Sequence, residues 1–219
     1  MNGTRPHPDS LYFHVASDAF ERAKQASTAL DGAKALLASN PSAYAQLRGL
    51  PPIDHATFNL KIAVVTVMTF SAMCLEAYIN SCYATLFPNE FSLMERRSPE
   101  SKWTDLPLRL EINQTFDRAV EPYSTFADLI WNRNNRLMHF KLPQEMIGSG
   151  SSSKQTYSPY FGDLVEDIAL AEKYLNCVGA MIRELHRLTN RQTAIPPFLS
   201  GSKYMSMVTS TFSMPFENT

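Results

Sequence analysis

The stretch IAVVTVMTFSAMCLEAYINSCYATL, residues 62–86, decides the fold. It is apolar nearly all round from Ile62 to Cys82, and a helix of that kind lies at the centre of a bundle. Its β-branched run, Val64-Val65-Thr66-Val67, favours a strand by local preference. Length and the want of partner strands elsewhere decide for helix. The longest apolar run, residues 62–75, is too short to span a bilayer, and Glu76 and Asn80 interrupt the turns after it. Asp54 is placed to cap this helix after Pro51-Pro52, and Pro88 lies just past its end near Leu86.

Upstream, Phe13, Ala16, Phe20, Ala23, Leu30, Ala33 and Leu37 recur at helical steps or their multiples, one stripe of an amphipathic helix. Asp9 or Ser10 can cap it, and Asn40-Pro41 ends it. Downstream, residues 88–105 are polar and irregular. Asp105 with Pro107 is a helix-start signal for a short helix carrying Leu106, Leu110 and Phe116. A further helix opens near Ser124 or Thr125, where Thr125 and Asp128 have capping-box spacing, and runs to about His139. Pro143 and the tract 148–154 form a flexible loop. The last long helix opens at Asp163 and Glu166, with Leu164, Ile168, Ala171, Leu175, Val178, Ile182 and Leu185 as its seam.

The expected fold is therefore all-α, an up-and-down bundle of four to five main helices. Residues 1–9 are a flexible lead-in, 10–191 the bundle, and 192–219 a tail that drapes over the bundle or is loose. A chain of 219 residues buries roughly 70–75% of its unfolded surface, so it needs no disulfide or metal staple. Net charge is −1, so any nucleic-acid site must be a local cluster of cations. The cysteines are Cys74, Cys82 and Cys177, without a C-x-x-C, and they read as buried thiols in a reducing cytoplasm. The N-terminus has no apolar core of a signal peptide, and no membrane partner is expected.

His7, His14, His55 and His186 are scattered without metal-ligand spacing; no metal and no cofactor is expected. Two features carry chemistry. Glu76 is the only charge between Lys61 and Glu90, inside the most apolar helix, with Asn80 one turn on. A buried carboxylate needs a cation or strong donors. It is either a structural ion pair or the group that orients a functional arginine. The second feature is WNRNNRLMHFK, residues 131–141, the densest cationic patch near any histidine. At about 100° per residue, Asn132, Asn135, Arg136 and His139 share a face, and Arg133 lies about 120° from His139. The patch is either a solvated helix end whose cations suit the dipole, or a phosphate-binding and proton-transfer site.

The run Arg133-Asn134 with His139-Phe140-Lys141 resembles the motif of HEPN-domain proteins. That motif is an arginine, often followed by Asn, then roughly four to six residues and a histidine. Residues 71–80, SAMCLEAYIN, are similar to the helix that accompanies it. The resemblance covers about residues 60–190. It implies a helical bundle that dimerises, with two copies of the motif meeting in one cleft. It also implies that active members are metal-independent endoribonucleases, in defence or stress response, with RNA as substrate and a partner protein such as a nucleotidyltransferase. Carried over, Arg133 binds phosphate and His139 moves protons, with Glu76, Asn80, Asn134, Asn135 and Arg136 supporting. The alternative is a non-catalytic dimerisation and ligand- or RNA-binding module. Five residues separate Arg133 from His139 where the family usually has about four, and a gapless alignment from His139 puts Asn134 in the arginine's place.

Overall fold

A computed structural model of the chain describes residues 8–42, 52–138 and 164–199. The described residues are helical and turn, with no strand among them. The long elements are α1 (Pro8–Ser39), α2 (Pro52–Leu86) and α6 (Ile168–Leu188). Shorter ones are α3 (Phe91–Met94), α4 (Pro99–Arg109) and α5 (Tyr123–Asn132). A π-helical turn, Arg133–Met138, continues α5, and a 3-10 turn, Pro197–Leu199, comes after α6. The protein is an all-α bundle.

Side-chain contacts fix the directions. Tyr12 of α1 meets Phe70 of α2, and Asp9 and Ser10 face the end of α2 around Tyr78 and Cys82, so α1 and α2 are antiparallel. Lys61 pairs with Glu166 at 3.0 Å, just before α6, while Tyr78 donates to the Ala194 carbonyl just after it; α6 runs with α2. Tyr174 faces Asp128 and Asn132, and Cys177 reaches back to the Pro122 carbonyl, so α5 opposes α6. This is the alternating order of an up-and-down bundle.

The apolar stripe of α1 is buried as its periodicity predicts, except Leu37, which is exposed at the helix's far end. In α2, Val64 and Val67 are wholly buried, so tertiary burial overrides their strand preference. Yet α2 is not covered all round: Phe58 and Ile62 stay exposed. By length and composition α2 could cross a bilayer, contrary to the reading of its apolar run as too short; here it packs against α1 and α6 and is mostly buried. Trp103 of α4 is fully buried, with Tyr78, Phe116 and Phe126 around it, and each such ring pair adds about 0.5–1.5 kcal/mol beyond its buried area. This aromatic layer ties α4 and α5 to α2.

Several helix starts differ from the sequence expectation. Pro8 and Pro52 open α1 and α2, so Asp9 and Asp54 lie inside first turns. Proline suits that position because the first-turn N–H has no partner to lose. The short helix begins ahead of the expected Pro107-centred one: Ser98 caps it, accepting from the Ser101 amide, and Pro107 falls inside its last turns. Leu110 is its C-cap, and Phe116 lies outside it. Thr125 is internal to α5 and donates to Glu121 instead of capping. Asp167 caps α6, accepting from the Leu170 amide at 2.8 Å. Asp163 itself, Pro143, the tract 148–154 and the tail beyond Leu199 lie outside the described residues.

Asn190 and Arg191 both take left-handed backbone, and the chain turns back. Thr193, Phe198 and Leu199 are then buried against the bundle, so this first part of the expected tail drapes over it.

Candidate functional site

The two features singled out in the sequence meet. Arg133 Nη1 donates to Glu76 Oε2 at 3.2 Å, joining the π turn to the middle of α2. Glu76 is not buried as expected: its side chain is 34% exposed against 20% for Arg133. The pair is partly exposed, so solvent screens it. The Nε of Arg133 is buried and has no partner among the described residues.

One turn along α2, Asn80 serves a different cation. Its Oδ1 accepts from Lys102 Nζ at 2.7 Å, and the same ammonium donates to the Glu95 carbonyl at 2.9 Å. Lys102 is 1% exposed. Burial pulls its pKa down, and the charges of Glu76 and Glu95 oppose that shift. Sequence reasoning misses Lys102 because residues 88–105 read as irregular. With Ser98-Pro99 taken as the helix start, Lys102 falls beside Trp103 and one turn before Leu106, on the core side.

The WNRNNR segment divides its polar residues between two tasks. Asn132 is buried, donating to Tyr174 at 2.7 Å and to Asp128 at 3.1 Å, while Tyr174 donates to Asp128 at 2.5 Å. It belongs to the α5–α6 joint, not to the cleft face expected of it. Asn134 is part-exposed. Asn135 donates to the Trp131 carbonyl, and the Arg136 guanidinium lies 5.1 Å from the Trp131 ring centre. Arg133 is thus the arginine that hydrogen-bonds Glu76, while Arg136 stacks on Trp131.

The expected wheel of Asn132, Asn135, Arg136 and His139 assumes a regular α-helix. From Arg133 onward the chain adopts the wider i→i+5 pattern, so that projection does not hold. His139, with Phe140 and Lys141, lies outside the described residues.

Among the described residues no three His, Cys, Asp or Glu side chains gather as a metal site. His186 is hydrogen-bonded to the Thr193 carbonyl and His55 to Asn59, each a local partner. No protein-family model matches this chain, and no curated protein or solved structure matches it either.

Proposed function

We propose that this protein is a HEPN-like, metal-independent endoribonuclease whose site is completed by a second copy of the chain. The observation that carries this reading is the Glu76–Arg133 pair: the two motifs that resemble the family, far apart in sequence, supply the two partners of one ion pair. Glu76 fixes one edge of a guanidinium fork, whose other donors suit phosphoryl oxygens.

The spacing departure has a physical counterpart. The extra residue between Arg133 and His139 falls in the π turn, and a π turn accommodates one more residue than an α-helical turn. Such turns are frequent at functional sites.

In the proposed reaction one His139 takes the proton of a ribose 2′-hydroxyl, whose oxygen attacks the adjacent phosphorus. The P–O5′ bond breaks, and the partner copy's equivalent histidine protonates the leaving oxygen. The products are a 2′,3′-cyclic phosphate and a 5′-hydroxyl. Arg133 stabilises charge on the phosphoryl oxygens. The stripe of α6 is covered within one chain by α1, α2 and α5, so dimerisation is not needed to bury it. Dimerisation rests instead on the need for two proton-transfer groups. A reducing cytoplasm, defence or stress response, and a nucleotidyltransferase-like partner belong to the same proposal; the buried free thiols of Cys74, Cys82 and Cys177 fit it.

The alternative, a non-catalytic binding module, is favoured by one fact: Asn134 stands at the arginine's place in a gapless alignment. RNA incubated with the protein in excess EDTA separates the two. The nuclease reading expects cleavage with cyclic-phosphate ends and a dimer by light scattering at tens of micromolar. Saturable RNA binding without cleavage would leave the binding module.

A further inference from the structure

Within the WNRNNR segment, Trp131 has no part in the Glu76–Arg133 pair or in the joint with α6. It is 51% exposed, whereas Trp103, the other tryptophan of the chain, is fully buried. Indole carries one of the largest apolar surfaces of any side chain, and half of it here is left to solvent. Packing does not require it there: Leu129 and Ile130, just before it, are wholly buried and hold α5 to the bundle.

The ring has a cation against it. The Trp131 carbonyl accepts from the Asn135 side chain at 2.9 Å, and the Arg136 guanidinium lies 5.1 Å from the ring centre. Residues five apart stand about 140° apart on an unbroken α-helix. The wider i→i+5 pattern of residues 133–138 brings Arg136 back towards Trp131. Tryptophan is the ring that holds a cation best, and the contact limits the ring's own freedom before any partner arrives. A half-open aromatic surface beside a guanidinium suits a flat aromatic group tethered to negative charge. A nucleotide of a strand has both parts, its base and its phosphate.

We infer that Trp131, backed by Arg136, is a base-stacking subsite on which one unpaired base of an RNA strand lies. That the strand is RNA rests on the reading of the Glu76–Arg133 site given above; Trp131 is a residue that reading does not use. Every base has a π face, so the contact tolerates any sequence, but a base inside a duplex is already stacked on both sides. At about 100° per residue Trp131 lies roughly 200° around the helix from Arg133, so the base on one and the phosphate on the other belong to different nucleotides.

The test uses the full chain and three probes of about twelve nucleotides: a 2′-O-methyl strand, the same strand annealed to its complement, and a strand of abasic units. The methylated strand lacks the attacking hydroxyl, so binding is read apart from cleavage. It should bind saturably and quench the emission of Trp131, with buried Trp103 as the unquenched background. Trp131→Leu keeps an apolar side chain without the ring. It should remove the quench and weaken the strand by about tenfold or more at unchanged helicity, and Trp131→Phe should restore part of the affinity. The abasic strand should bind wild type and Trp131→Leu alike, and the duplex should not quench. Unchanged affinity in Trp131→Leu, no saturable binding of the methylated strand, or equal quenching by the duplex would each overturn the assignment. So would a Trp131→Leu protein that stays monomeric where wild type dimerises, which would make Trp131 a contact between copies. Cleavage of the unmodified strand keeps the two proposals apart. Ring-dependent binding without cleavage sinks the nuclease reading and leaves the subsite; cleavage with Trp131→Leu affinity unchanged does the reverse.

Discussion

Two polar clusters sit less than one turn apart along the same stretch of chain, and they differ in what they leave open. Asn132, Asp128 and Tyr174 form a closed cluster between α5 and α6. Burial and then Asp128 push the Tyr174 pKa up, so the hydroxyl stays a donor. Arg133, the next residue, reaches the other way to Glu76 and remains part-exposed with donors beyond that single contact. Neighbouring residues of one composition thus serve opposite ends. The closed cluster spends its donors on its own members and fixes the joint, with Asn132 Oδ1 lacking a partner among the described residues; the open one leaves donors beyond its one contact.

The largest effects should fall on chemistry and separate the two regions. His139→Ala should lower RNA cleavage by about 10²–10⁴ with helicity unchanged, read by single-turnover cleavage and circular dichroism. Cleavage as fast as wild type would break the open-site half of the comparison.

Stability should respond on the other side. Tyr174→Phe and Asn132→Ala each strand a buried polar group and should cost about 1–3 kcal/mol by urea denaturation. Because the two share one cluster, the double variant should cost less than the sum. Full additivity would show that the cluster does not act as a unit.

The buried tyrosines, Tyr174 among them, also predict a pH response. Tyr78, Tyr83, Tyr123 and Tyr174 all have folded pKa values raised above the ordinary 10.0, chiefly by burial. Below pH 10 these groups are protonated in both states, and their contribution is present in full. Above it the unfolded chain loses protons that the folded chain keeps, so stability falls as pH rises. The buried thiols add the same sign from about pH 9, and the lowered Lys102 pKa adds the opposite sign. The urea midpoint should therefore fall between pH 9 and 11, and Tyr174→Phe should make that fall shallower.

The smallest effect belongs to Glu76. A pair this exposed is worth about 0.5–1 kcal/mol, so Glu76→Ala should lower the melting temperature by only about 1–4 °C. A loss as large as that of Tyr174→Phe would mean that the Glu76–Arg133 pair is a structural lock after all.

The bundle was legible because its signal is long-range and repetitive: the stripes of α1 and α6 recur over many turns, and α2 is apolar far beyond one face. The pairing of Glu76 with an arginine was legible because a lone charge in an apolar helix demands a partner. Helix starts were not, since Asp163 and Asp167 have the same capping chemistry and nothing local marks Asp167 as the cap of α6. Nor was the π turn, because nothing in RNNRLM distinguishes an i→i+5 ladder from an α-helical one. That hidden turn undoes the projection that put Asn132, Asn135, Arg136 and His139 on one face. Lys102 escaped for a related reason: a buried lysine reads as surface until the helix carrying it is recognised.

The proposed function turns on Arg133, held by Glu76, as the phosphate-binding group. Parallel rates of RNA cleavage in excess EDTA for Arg133→Ala and Arg136→Ala, at matched helicity, put that role to the test. Arg133→Ala should lose about 10²–10³ in rate and Arg136→Ala only a little. The reverse order, or equal rates for Arg133→Ala and wild type, would contradict it.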